Sequence, residues 1–162
     1  MRHVYWLIPH KLCARPGPNE KPWDPQELHN AGIRAVLSVN GADGVKPREL
    51  TRLGINYKRV TLPMAIPPSS RDLRLCQRRL PKAYRFAQKQ IDAGRPLLVH
   101  CRYGKDRTGL FLAYYLSRQY LMSADQAIDE VRSRNTGCLT AHGWQYLARE
   151  LIGQVTPAGV AI

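Results

Sequence analysis

Residues 97–116 read Leu-Leu-Val-His-Cys-Arg-Tyr-Gly-Lys-Asp-Arg-Thr-Gly-Leu-Phe-Leu-Ala-Tyr-Tyr-Leu. Leu97 to His100 is a short apolar run suited to a buried strand. Leu110 to Leu116 is apolar almost all round, as a helix in the middle of a core must be. Between them lies a polar turn that contains Gly104. In α/β proteins ligands bind at the C-terminal ends of strands. A loop that opens a helix there presents unpaired backbone N–H groups and the positive end of the helix dipole. That combination cradles an anion such as phosphate. Gly104 lets the backbone bend and approach the ligand, and Arg107 can grip two phosphate oxygens with its planar fork.

Cys101 stands at the start of this loop. Loop amides, the helix dipole and nearby cations favour a thiolate, which is the attacking form. A thiolate attacking phosphorus forms a phosphocysteine and divides one difficult step into two. Thr108 is placed to donate its hydroxyl to the sulfur. A buried core cysteine is the plainer alternative, but Cys, five residues, then Arg-Thr at a strand-to-helix junction is far more specific than a lone cysteine.

Outward from this stretch, a helix–Gly–strand pattern recurs. Asp24-Pro25-Gln26-Glu27 marks a helix start; that helix ends at Gly32, before a strand over Ile33–Val39. Pro47 starts a second helix that ends at Gly54, before a strand over Ile55–Thr61. A third helix, capped by Ser69 and Asp72, runs to Gly94, with Pro81 expected to bend or split it. Its apolar face carries Leu73, Cys76, Leu80, Ala83, Ala87 and Ile91; Arg71, Arg74, Arg78, Lys82, Arg85 and Lys89 form the opposite face, read as a solvated face, with an anion-docking surface as the alternative. After the buried helix, Ser123–Gln126 is a capping box, and Trp144, Leu147, Ala148, Leu151 and Ile152 stripe a last helix. Alternating strands and helices imply an α/β fold: a central, mainly parallel, twisted sheet flanked by helices.

The chain has 162 residues, the size of one domain. Residues 1–153 are assigned to it and 154–162 to a frayed tail. The first residues show one early Arg, a very short apolar stretch and no small-residue cleavage site, so no secretory signal is expected and the cytoplasm is the default location. The Pro-rich segment 15–25 is expected to be a loop. Lys and Arg number 25 against 12 Asp and Glu, a formal charge of +13. That balance suits phosphorylated substrates or an acidic membrane surface; nucleic acid is permitted but not required. Cys13, Cys76, Cys101 and Cys138 lack zinc-site spacing, and the chemistry asks for neither metal nor cofactor. A monomer is the default.

At these residues the chain resembles a known family. His100-Cys101-x5-Arg107-Thr108-Gly109 is similar to the signature of the cysteine-dependent protein tyrosine phosphatases, and the size to their compact dual-specificity branch. The resemblance covers most of the chain. It implies Cys101 as nucleophile, Arg107 as phosphate-binding group, and residues 102–107 as the amide cradle, with Arg102, Tyr103, Gly104 and Lys105 against the substrate. His100 is grouped with these binding residues and expected to position the thiolate. Gly104-Lys105-Asp106-Arg107-Thr108 is also similar to phosphoinositide phosphatases of the myotubularin and Sac types, and to bacterial enzymes accepting both phosphotyrosine and phosphoinositides. The implied substrates are phosphotyrosine-type protein, a phosphoinositide or an inositol phosphate.

One departure stands out. The family places a general-acid Asp on the loop before the long helix, and here Leu62 to Arg71 holds no carboxylate. Asp106 is the first candidate to replace it, with Asp72, otherwise a helix cap, and Asp43, otherwise a turn residue, as alternatives. Rival readings are an RNA 5′-triphosphatase, a rhodanese-like sulfurtransferase and a phosphate-binding module without activity.

Overall fold

The elements run β1 (Tyr5–Ile8), β2 (Leu12–Pro16), α1 (Pro25–Asn30), β3 (Ala35–Ser38), α2 (Pro47–Arg52), β4 (Asn56–Arg59), α3 (Ser70–Asp92), β5 (Leu97–Cys101), α4 (Asp106–Tyr120), α5 (Ala124–Arg134) and α6 (Trp144–Gly153) in a computed structural model that describes residues 1–153. The expected frayed tail, 154–162, lies outside the described residues.

The strands form one five-stranded sheet in the order β1-β2-β5-β3-β4. β5 pairs in parallel with β2 and β3, and β3 in parallel with β4; β1 alone is antiparallel, against β2. Side chains alternate across the sheet, as the two-residue period of a strand demands. Leu97, Val99 and Cys101 of β5, Ala35 and Leu37 of β3, and Leu12 and Ala14 of β2 face the larger core under α3, α4, α5 and α6. Leu98, Val36 and Cys13 face the opposite, smaller core with Leu28 of α1 and Leu50 of α2. β3 therefore leads to a helix on one face and β5 to a helix on the other. The crevice between their C-terminal ends is the switch point where α/β sheets bind ligands.

The helices follow the expected signals. Asp24 caps α1 through the Gln26 amide, and Ser69 with Asp72, and Ser123 with Gln126, form capping boxes on α3 and α5. α4 is buried continuously from Thr108 to Ser117. Every residue of the basic face of α3 is exposed.

Two expectations need correction. Pro81 does not split α3, which is one helix of 23 residues with Pro81 inside it. The tertiary contacts of Cys76, Leu80, Ala83 and Ala87, all fully buried, outweigh the single hydrogen bond that a proline removes. And the N-terminal stretch is a hairpin, with Arg15 and Pro16 inside β2 rather than in a loop. β2 is only five residues long and ends in Arg-Pro, so its apolar run is too brief to stand out by periodicity.

Phe111 on α4 is fully buried and Tyr120 at its end is about half exposed. Phe111→Ala should cost about 3–5 kcal/mol of unfolding free energy, and Tyr120→Ala no more than about 0.5 kcal/mol, in denaturant titrations of the two variants.

Candidate active site

The loop 102–105 joins β5 to α4, and the pocket at its mouth is lined by Cys101, Tyr103, Asp106 and Arg107, with Met64, Ile66 and Trp144 as walls. Cys101 is 2% exposed, at the pocket floor. Asp106 and Arg107 open α4, whose first-turn amides have no acceptor within the helix. Neither is in an ion pair among the described residues. One oxygen of Asp106 accepts from the Ala141 amide at 3.3 Å.

The loop is held from behind. Gly17 N–H donates to the Arg102 carbonyl at 2.9 Å, and the Tyr5 hydroxyl to the Gly104 carbonyl at 2.6 Å. Burial keeps the Tyr5 phenol protonated by raising its pKa far above the ordinary tyrosine value, so it stays a donor. Arg15 is itself buried, donates to the Pro16 and Lys21 carbonyls and lies over the Trp23 ring. Gly104, at φ +72°, sits against its backbone: a Cβ there would meet the Arg15 carbonyl carbon at 2.9 Å. A Cβ on Gly17 would meet the Cys101 carbonyl oxygen at 2.5 Å. Both positions thus require glycine, Gly104 for conformation and space, Gly17 for space alone.

His100 does not line the pocket. It is fully buried behind β5, with Nδ1 3.1 Å from the Cys101 carbonyl and Nε2 2.6 Å from the Ser38 hydroxyl. A carbonyl only accepts, so Nδ1 carries the hydrogen; Ser38 donates to Nε2 and itself accepts from the Tyr57 hydroxyl at 2.8 Å. Burial pushes the imidazole down to about 4, against the bond from Cys101 and with Arg15 and Arg107 adding to the fall. The expected substrate-binding histidine is instead a neutral group that positions the Cys101 backbone.

The other expected residues divide. Tyr103 lines the pocket and stacks under Arg102, whose guanidinium carbon is 5.2 Å from the ring centre. Arg102 turns to a neighbouring groove and pairs with Glu20 at 3.4 Å. Lys105 is exposed, its stem running past Gly137 rather than into the pocket. The Thr108 hydroxyl is buried with no hydrogen-bond partner, so it does not bond the Cys101 sulfur in this structure. Asp72 is committed to its cap, one oxygen accepting the Ser69 amide at 2.8 Å. Asp43 lies in the groove with Arg102 and not in the pocket with Cys101. Of the three carboxylates only Asp106 shares a cavity with the sulfur.

Tyr5, Arg15 and Gly17 were not among the expected residues. Each lies in or next to the unrecognised hairpin, and a single tyrosine or glycine there carries no local pattern. The remaining cysteines are free and buried. Burial pushes Cys13 and Cys76 up to about 12 and Cys138 up to about 11.

A family model described as the Swiss Army Knife protein, DSP-PTPase phosphatase domain, matches residues 1–149. Among solved structures, Tk-PTP in the active form superimposes with a TM-score of 0.76 at 18% identity, over 95% of this chain and 99% of that one. PTPMT1 in complex with PI(5)P gives 0.76 at 16% identity, over 94% and 96%. Human DUSP28 gives 0.70 at 17% identity, over 94% and 95%. At these identities the likeness is one of fold.

Two outcomes are expected. Iodoacetamide near neutral pH should label Cys101 first, with inorganic phosphate slowing the reaction and peptide mass mapping identifying the site; preferential labelling of Cys13, Cys76 or Cys138 would contradict the geometry. The unfolded chain protonates His100 near its ordinary value of 6.5, whereas the folded protein resists until about 4. His100 therefore supports the fold fully above pH 6.5, and its support is lost as the pH falls toward 4. In urea titrations at pH 7 and 4.5, His100→Asn should show the shallower decline in stability.

Proposed function

We infer the reaction from the family to which this chain belongs, the DSP-PTPase phosphatase domain of the Swiss Army Knife proteins: it is a cysteine-dependent phosphatase of the dual-specificity type. We propose that its substrates are phosphate monoesters of alcohols of the phosphoinositide or inositol phosphate kind, and that Asp106 is the general acid. The observation that carries this reading is the presence of Cys101, Asp106 and Arg107 around one pocket, with no carboxylate in the adjoining loop.

In the first step the Cys101 thiolate attacks phosphorus in line. The phosphorus–sulfur bond forms as the ester phosphorus–oxygen bond breaks, and the leaving oxygen takes its proton from the Asp106 carboxyl. Arg107 and the loop amides hold the equatorial oxygens, where transition-state charge gathers. In the second step water attacks the phosphocysteine while the Asp106 carboxylate accepts its proton. Inorganic phosphate leaves and the thiolate returns.

An acid in the phosphate loop matters most for a poor leaving group. An inositol hydroxyl is such a group, and a stable phenolate is not. The likeness to PTPMT1, whose structure contains PI(5)P, and the charge of +13 support an anionic substrate of this class. A phosphotyrosine peptide is the competing substrate.

Cys101→Ser should abolish turnover, with less than about 1% remaining, while phosphate binding survives. Arg107→Lys should be nearly as damaging, because an ammonium cannot reproduce the bidentate grip. Asp106→Asn should slow inositol phosphates by about 10²–10⁴-fold, the usual worth of a proton donor, and nitrophenyl phosphate far less. Asp72→Asn should leave that selectivity intact and loosen α3 by about 0.3–1 kcal/mol. A leaving-group dependence that steepens in Asp72→Asn rather than Asp106→Asn would move the acid to the cap. If kcat/KM for a phosphotyrosine peptide exceeds that for inositol phosphates and short-chain phosphoinositides, the substrate proposal fails.

A further inference from the structure

Beside the catalytic pocket runs a second, larger groove, and the two share Arg107 and Met64. The pocket alone has a volume of about 110 Å³ and the groove about 440 Å³. Small-molecule sites usually span roughly 300–1,000 Å³, so the pocket by itself is sized for little more than the reacting phosphate. The groove has the room for the rest of a substrate.

Its chemistry is cationic. Arg79, Arg102 and Arg107 face it, against the one carboxylate of Asp43. Arg79 differs from the other cations of α3. Arg71, Arg74, Arg78, Lys82, Arg85 and Lys89 point to solvent, whereas Arg79 is half-buried on the flank of the helix that lines the groove. One of its N–H groups donates to the Thr61 carbonyl, which fixes the guanidinium in place. The Thr61 hydroxyl in turn donates to the carbonyl of Asn40, a residue only 3% exposed. Arg79 is in no ion pair among the described residues. Arg102 has a partner in Glu20, but that pair is 3.4 Å long with side chains 52% and 31% exposed. Such a contact is weak and easily exchanged for a better anion. A guanidinium fork held by the backbone with donors to spare is suited to a phosphate's oxygens.

We propose that the groove is a second anion subsite, in which Arg79, with Arg102, holds a phosphate that is not hydrolysed. Arg107 spans the two sites, so the substrate is an alcohol carrying at least two phosphoryl groups, one over Cys101 and one against Arg79. This deepens the reading of the catalytic site and rests on it for turnover, but the subsite itself is a matter of binding.

The test therefore has a binding arm and a turnover arm. In the first, calorimetry on the Cys101→Ser protein compares inositol bisphosphates with inositol monophosphates. At least one bisphosphate isomer should bind about tenfold more tightly, and Arg79→Met in that background should erase the difference. In the second, kcat/KM for the same bisphosphate is divided by kcat/KM for nitrophenyl phosphate. Arg79→Met should lower this ratio about tenfold, through KM, and Arg79→Lys should restore part of it. Arg78→Met removes an equal charge from the solvent face of the same helix and should leave the ratio within twofold of the wild type.

Equal affinities for mono- and bisphosphates would overturn the subsite, as would an equal effect of Arg78→Met and Arg79→Met, which would mark a general charge effect. A preference for a phosphotyrosine peptide flanked by acidic residues over every bisphosphate would assign the groove to a peptide and also overturn the proposal. Absence of nitrophenyl phosphate turnover in the wild type, with bisphosphate preference kept in calorimetry, would instead sink the catalytic reading and leave the subsite standing.

Discussion

An anion cradle turns its amides toward the ligand, and the carbonyls of the same residues must then point elsewhere and find donors. A buried carbonyl without one costs about as much as a lost hydrogen bond. Here the Cys101 carbonyl takes His100 Nδ1–H, the Arg102 carbonyl takes the Gly17 amide, and the Gly104 carbonyl takes the Tyr5 hydroxyl. Much of the rest of the fold follows from supplying these donors. The hairpin β1–β2 brings Tyr5 and Gly17 to the back of the loop. β3 brings Ser38, which with Tyr57 of β4 fixes the tautomer of His100. The reverse side of the loop is thus engaged at Cys101, Arg102 and Gly104.

That dependence explains what could be read from the sequence. The strand before Cys101, the buried helix after it, the capping boxes and the recurring helix–Gly–strand units are local patterns, each carried by a few adjacent residues. They suffice to place β3, β4 and β5 in a parallel sheet and to single out Cys101 and Arg107. The supporting shell is not local. Tyr5 bonds a residue 99 positions away, and nothing in Tyr5-Trp-Leu-Ile8 marks its first residue as a donor. Gly17 sits in a Pro-rich stretch that reads as ordinary loop, and only the approach of the Cys101 carbonyl shows why a side chain cannot stand there.

The misplacements share a cause. His100 lies just before the loop and Lys105 is its last residue, and such closeness in sequence suggests contact with the ligand. Yet side chains on a strand alternate in direction. Cys101 faces the larger core and the pocket, and His100 must face the opposite side, beside Trp23, whose ring it meets edge-on at 5.0 Å between centres. Arg79 is the converse case. It follows Arg78 directly and has the same charge, but a 100° turn of the helix separates a solvent-facing cation from one that lines a groove.

The loop from Leu62 to Arg71 bears on the acid. The Trp144 indole N–H donates to the Ala65 carbonyl at 3.0 Å, and Gly143 packs against Pro67 and Pro68, where a Cβ would lie 2.9–3.0 Å from their rings. α6 thus fastens this loop to the pocket wall, with Met64 and Ile66 as its contribution to the site. A loop so fastened contributes the apolar side chains of Met64 and Ile66 to the pocket wall and carries no carboxylate of its own. A proton donor is best placed on a rigid element with its reach already set. Asp106 meets that condition: it is anchored by the Ala141 amide on the segment leading into α6 and built into the first turn of α4, which is buried continuously from Thr108 to Ser117. With Asp106 as the proposed acid, the helix start that borders the phosphate loop would also hold the proton donor.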